Sequence, residues 1–231
     1  MTHNHWVEEI LADKNIALIG FADLSEIDID ARRSFRYGIS IAMALSVLPG
    51  TSEEPSIAYF NEYRRVSARL KEASRFLTEQ IQARGYNALS LWLLDRQDEN
   101  FCTPLPFKTL ATRAGLGWIG KSAALVTKEY GSAIRLGGVL TDMPFETGTP
   151  VNASLCGKCM ECVKHCPGQA IQGNLWDVHA DRDSLLDARA CKDAVIERGK
   201  IFGKTDGTCG ICIAVCPWSR RYFDRISANH R

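Results

Sequence analysis

The chain of 231 residues has little net charge, no long apolar run and almost no cysteine in its first two thirds. Twenty-eight basic residues face twenty-seven acidic ones, for a net charge of +1, so no electrostatic case exists for a dedicated nucleic-acid surface. The longest apolar stretch, about ten residues, is too short to cross a bilayer. The start, MTHNHWVEEILADKN, is polar and has no secretory h-region. Arg32-Arg33-Ser34-Phe35 before an apolar run imitates a twin-arginine signal, but lies inward of a structured segment and lacks a small-residue cleavage site. A cytoplasmic location without membrane attachment is expected.

What is present is ordinary globular composition, 45% hydrophobic and 24% charged, together with nine cysteines, eight of them after residue 150. In a reducing compartment such cysteines indicate metal ligation before disulfides. Hydrophobic periodicity predicts a helix over 5–14, strands over 16–24, 36–48, 87–94 and 133–145, and a long helix from Ser56 to Arg84. These elements predict an α/β (α+β) domain over residues 1–150, a linker near 148–154, and a small cofactor-held domain over 151–231.

The segment CGKCMECVKHCPGQAI (156–171) contains C-x2-C-x2-C-x3-C-P, the ligand run of bacterial two-cluster ferredoxins. CGICIAVCP (209–217) repeats C-x2-C-x3-C-P, with Asp206 in the place of the absent first cysteine and Cys191 free to supply it. The thiolate before each proline serves the opposite cluster. Cys156, Cys159, Cys162 and Cys216 are thus assigned to one 4Fe–4S cluster, and Cys166, Cys191, Cys209 and Cys212 to the other. Zinc also accepts four thiolates, but its knuckles do not carry the x3-C-P ending. His165 has no vacant ligand position to fill, and Trp218 is placed to pack over a cluster.

AGLGWIGKS (114–122) matches two phosphate patterns, G-x-G-x-x-G at Gly115, Gly117 and Gly120, and G-x-x-x-x-G-K-[ST] ending at Lys121 and Ser122. Both patterns need a strand before the glycines. Phe107, Leu110, Ala111 and Ala114 instead form a helix face, which makes Gly115 a helix stop. Trp118 and Ile119 are bulky for a phosphate cradle. Gly138-Val139-Leu140-Thr141-Asp142 resembles a Walker B strand, so an ATP-driven electron activator stays open as one alternative.

GLGWIGKSAALVTKEYGSAIRLGGVLTDMPFE, followed by the two cysteine runs and the closing CPW, resembles the epoxyqueuosine reductase family. More loosely it is similar to the core of corrinoid reductive dehalogenases. The resemblance implies an α/β domain that holds cobalamin against a double 4Fe–4S domain. It implies that Gly115, Gly117, Trp118, Gly120, Lys121, Ser122, Thr141 and Asp142 line the corrinoid site. That family carries a proton-donating acid about twenty residues before the lysine. Here Phe101–Pro106 contains no acid, although Asp98 and Glu99 stand nearby. Cys102, Tyr37 and Tyr130 are the candidate proton donors in its place. The family's longer members also carry a C-terminal repeat module for tRNA, which these 231 residues do not include.

The expectation is a cobalamin-dependent iron–sulfur reductase. A ferredoxin or flavodoxin would supply electrons, and the substrate would be a small molecule or a protein-bound corrinoid rather than tRNA. An electron carrier, or a reductive activator of a partner's corrinoid, is the second alternative.

Overall fold

A computed structural model describes residues 2–51, 54–94, 98–99, 101–203 and 208–228. Asp206 lies outside the described residues. The chain divides into two compact units: residues 1–44, 66–117 and 135–151 form the first, and 45–65, 118–134 and 152–231 the second. The expected division at 150/151 is therefore one of several crossings. The reason is a set of polar anchors that tie 45–65 to the later residues. The Leu45 N–H donates to the Ala133 carbonyl at 2.8 Å. Arg198 donates to the Thr51 carbonyl at 2.6 Å.

In the first unit, helix α1 (His3–Leu11) is capped by the Thr2 hydroxyl, which accepts from the His5 N–H. Strands β1 (Leu18–Asp23) and β2 (Tyr37–Ala44) pair antiparallel, in a register that sets Leu18 opposite Ala42 and Asp23 opposite Tyr37. The long helix α2 (Ile57–Ala83) follows, as its apolar spacing predicts. The expected strand over 87–94 is shorter than its apolar content suggests. Only β3 (Ala88–Ser90) is extended, and Leu91–Leu93 turn into a 3-10 helix. Continuous apolar runs do not distinguish strand from buried turn, because both bury the same side chains.

Helix α3 (Phe107–Arg113) buries Leu110 and Ala111 on the face read from the sequence. Strands β4 (Trp118–Ile119) and β5 (Leu125–Val126) form a separate two-stranded ribbon in the second unit. Strand β6 (Ile134–Thr141) completes the main sheet, whose order is β1-β2-β6-β3. The β3/β6 pair is also antiparallel. The two edge pairings, β1/β2 and β3/β6, are thus both antiparallel, within the mixed helix-and-sheet class expected.

The second unit adds four helices: α4 (Glu161–Lys164), α5 (Ala188–Lys200), α6 (Ile211–Ala214) and α7 (Pro217–Ala228). Its most polar anchor is Glu62, 5% exposed. The Glu62 carboxylate accepts from the Ser46 N–H at 3.1 Å, the Ser46 hydroxyl at 2.6 Å and the Val47 N–H at 2.8 Å. Nothing in the sequence pattern marks Glu62, because a single carboxylate on a helix reads as a solvated residue. Among the described residues no helix is long and apolar enough to cross a membrane.

Candidate iron–sulfur site

The two cysteine runs fold into two similar turns. In the first, the Cys159 N–H donates to the Cys156 carbonyl, α4 carries Cys162, and the Cys166 N–H donates to the Val163 carbonyl. In the second, α6 carries Cys212, the Cys216 N–H donates to the Ile213 carbonyl, and Pro217 opens α7. The proline after Cys166 and Cys216 cannot donate to the preceding turn, so the chain leaves the helix there. Cys191 lies in α5, whose start is capped by Asp187 accepting from the Ala190 N–H at 2.9 Å.

Four of the thiols are shifted by burial and by neighbouring cysteines. Burial pushes the Cys162 thiol up to about 11, and Cys156, Cys216 and Cys159 push it further in the same direction. Cys191 is raised by burial and then by Cys166 and Cys209. Cys209 is raised by burial, with Arg198 opposing and Cys166 adding. Cys212 is raised by burial and then by Cys209 and Cys191, with Cys162 as its neighbour from the other group. Thiols held this way retain their protons until a cation replaces them. Among the described residues no three Cys, His, Asp or Glu side chains close on a single-ion site.

A cavity of about 50 Å3 is lined by Cys156, Cys159, Cys162, Cys216 and Cys212. Gly120, Lys121, Ser122, Val126 and Trp218 close it from the other side. Trp218 stands edge-to-face with the buried Trp118, ring centroids 5.2 Å apart. His165 is exposed and engages the Glu161 carbonyl, outside any ligand position.

The glycine segment is neither of the phosphate motifs. Gly115 has φ +78° and ends α3 in a Schellman motif, with the Leu116 N–H on the Ala111 carbonyl and the Gly115 N–H on the Thr112 carbonyl. A helix precedes the glycines and the β4–β5 ribbon follows them, the reverse of strand–loop–helix. The Walker B resemblance fails as well. The Asp142 carboxylate accepts from the Asn87 N–H at 2.8 Å and from its side-chain amide at 2.6 Å. Thr141 donates its hydroxyl to the Asn87 carbonyl at 2.7 Å. Both side chains are thus engaged in holding the start of β3.

Gly120, Lys121 and Ser122 sit at the tip of the ribbon, where the Gly120 N–H donates to the Ala124 carbonyl at 2.9 Å. A Cβ on Gly120 would stand 2.8 Å from a Val126 methyl and 3.4 Å from the Cys156 sulfur. The close approach this glycine permits is to Val126, with the Cys156 sulfur as the next neighbour. Lys121, expected beside a corrinoid amide or phosphate, is instead buried against Met160, its Nζ 3.3 Å from the thioether sulfur.

Of the candidate proton donors, Tyr37 and Cys102 belong to the first unit and Tyr130 to the second. Tyr130 packs edge-on to Tyr222 in the second unit, ring centroids 5.1 Å apart. Tyr37 opens β2 in the first unit, beside Phe145. Cys102 is exposed in a turn of the first unit that Asp98 closes. The Asp98 carboxylate accepts from the Cys102 N–H at 2.8 Å, so a carboxylate does neighbour the acid-free stretch.

Residues 155–219 match the family of 4Fe-4S double cluster binding domains. The epoxyqueuosine reductase of Synechococcus sp. (strain CC9605) is 33% identical over 184 residues, covering 75% of this chain and 51% of that protein. The chain thus spans about half the length of the curated relatives it matches. Two solved structures share its fold. An epoxyqueuosine reductase crystallised with an epoxyqueuosine-modified tRNA stem loop superimposes with a TM-score of 0.60 and 21% identity, over 94% of this chain and 65% of that one. A reductive dehalogenase, whose structure suggests a mechanism for B12-dependent dehalogenation, gives 0.69 and 15% identity over 96% and 33%.

Proposed function

Because this chain is a homologue of the epoxyqueuosine reductases over most of its length, we propose that it is a cobalamin-dependent iron–sulfur reductase. The observation that carries the reading is the match of residues 155–219, which contain eight cysteines, to a 4Fe-4S double cluster binding domain. Cys156, Cys159, Cys162 and Cys216 would hold one 4Fe–4S cluster, and Cys166, Cys191, Cys209 and Cys212 the second. Two adjoining clusters relay single electrons, and the Cys162–Cys212 neighbourhood is where the groups meet. Cobalamin enters through the dehalogenase fold and the reductase relationship, and would supply a cobalt centre for two-electron chemistry.

The residues nominated for the corrinoid fit it only in part. Thr141 and Asp142 are engaged with Asn87, and Lys121 and Ser122 line the cysteine cavity. That engagement favours the second reading, an electron carrier or activator of a partner's corrinoid. The near-zero charge supports a small-molecule or protein-bound corrinoid substrate over tRNA.

Anaerobically loaded protein, reduced through a ferredoxin or flavodoxin, separates these readings. Retained cob(II)alamin whose paramagnetic signal is lost on reduction supports the reductase. Electron transfer to a separate corrinoid protein without cobalamin retention supports the carrier. Turnover of an epoxyqueuosine-modified tRNA stem loop would overturn the substrate assignment.

A further inference from the structure

Lys121 is 5% exposed, yet its only hydrogen bond among the described residues is to the Met160 thioether, and no carboxylate pairs with it. Met160 is held against it partly by Gly173, where a Cβ would come within 2.8 Å of the Met160 methyl. A buried ammonium facing a neutral sulfur is a costly arrangement unless a negative charge arrives from elsewhere. Lys121 lines the same cavity as Cys156, Cys159, Cys162 and Cys216. The second group has a cation of its own: Arg198, buried, acts on Cys209.

We propose that Lys121 is the internal counter-cation of the cluster held by Cys156, Cys159, Cys162 and Cys216, and that its charge sets that cluster's reduction potential. A 4Fe–4S cluster on four thiolates is an anion. It gains one further negative charge when it takes an electron from the donor. An ammonium at the cavity wall stabilises the reduced form more than the oxidised one, so it raises the potential. The inference rests on the double-cluster reading given above.

The test uses the whole chain, loaded anaerobically, with each cluster followed by electron paramagnetic resonance during a dithionite titration with redox mediators. Wild type should carry about eight irons; failure to do so overturns the double-cluster reading itself. In Lys121→Met, which keeps length and apolar stem, the first cluster should become at least tenfold harder to reduce, a shift of 59 mV or more to negative potential. The second cluster should stay where it is, and Lys121→Arg should return the first to within about threefold of wild type. An unchanged potential in a fully loaded Lys121→Met protein refutes the proposal while leaving the clusters intact. If Lys121→Met loads only about four irons, Lys121→Arg decides. Full loading there shows that the charge is needed to assemble the cluster, and equal failure shows that lysine's shape was the requirement.

Discussion

Gly120 is the position where a single methyl group distinguishes a cluster-facing turn from a phosphate loop. Its φ lies outside the left-handed region, so alanine brings no backbone strain and only the new contacts count. The added Cβ meets a Val126 methyl at 2.8 Å and the Cys156 sulfur at 3.4 Å. Ordinary carbon contacts lie at about 3.5–4.0 Å, so one neighbour must retreat by roughly 0.7 Å or more. Val126 is β-branched and 2% exposed, with little rotamer freedom to do so. Overpacking of this kind costs about 1–3 kcal/mol, and relief comes most readily by displacing the Cys156 thiol. Gly120→Ala should then reconstitute with about four irons in place of about eight, losing the Cys156 group's cluster and keeping the other. Gly120→Ala combined with Val126→Ala, which removes the 2.8 Å contact, should recover most of the missing iron. Iron analysis and paramagnetic resonance read the outcome. Full iron with an unchanged unfolding midpoint in Gly120→Ala would refute the packing argument. Altered nucleotide affinity with iron intact would revive the phosphate loop.

The same logic applies to other residues. Cys191→Ser should remove only the cluster of the Cys166, Cys209 and Cys212 group, halving the iron while the first cluster's signal persists. Loss of both signals would contradict the assigned partition. Glu62→Ala leaves the half-buried Val47 N–H without its acceptor, whereas the exposed Ser46 can turn to water, so stability should fall by about 1–3 kcal/mol in denaturant titrations. Metal-free protein under reductant should lose stability as pH rises from the ordinary thiol value of 9.0 towards about 11, because folded Cys162 keeps its proton where the unfolded chain releases it. Iron-loaded protein, already in the thiolate form, should show no such loss, and equal melting profiles for the two forms would contradict the ligand assignment.

Much of this architecture is legible in the residues themselves. The x3-C-P endings suffice to identify the double-cluster domain that residues 155–219 match. The face of Phe107, Leu110, Ala111 and Ala114 predicts both α3 and the helix-stop role of Gly115. The direction of strand pairing was not legible, because antiparallel and parallel sheets bury similar apolar runs when both faces are covered. Nor was the membership of 45–65 in the second unit, which depends on Glu62 and Arg198 reaching backbone groups distant in sequence. Lys121 illustrates the same limit. Its position in a familiar motif suggests a phosphate or an amide as its neighbour, and only the folded ribbon brings it to the cysteines.

The central claim is that two four-thiolate clusters serve a corrinoid in one chain. Its most direct test is to reconstitute the protein anaerobically with iron, sulfide and hydroxocobalamin, remove unbound material, and count iron and cobalt on the same sample. The account predicts about eight irons and about one cobalt per chain. Zinc in place of iron, or eight irons with no cobalt retained, would contradict it.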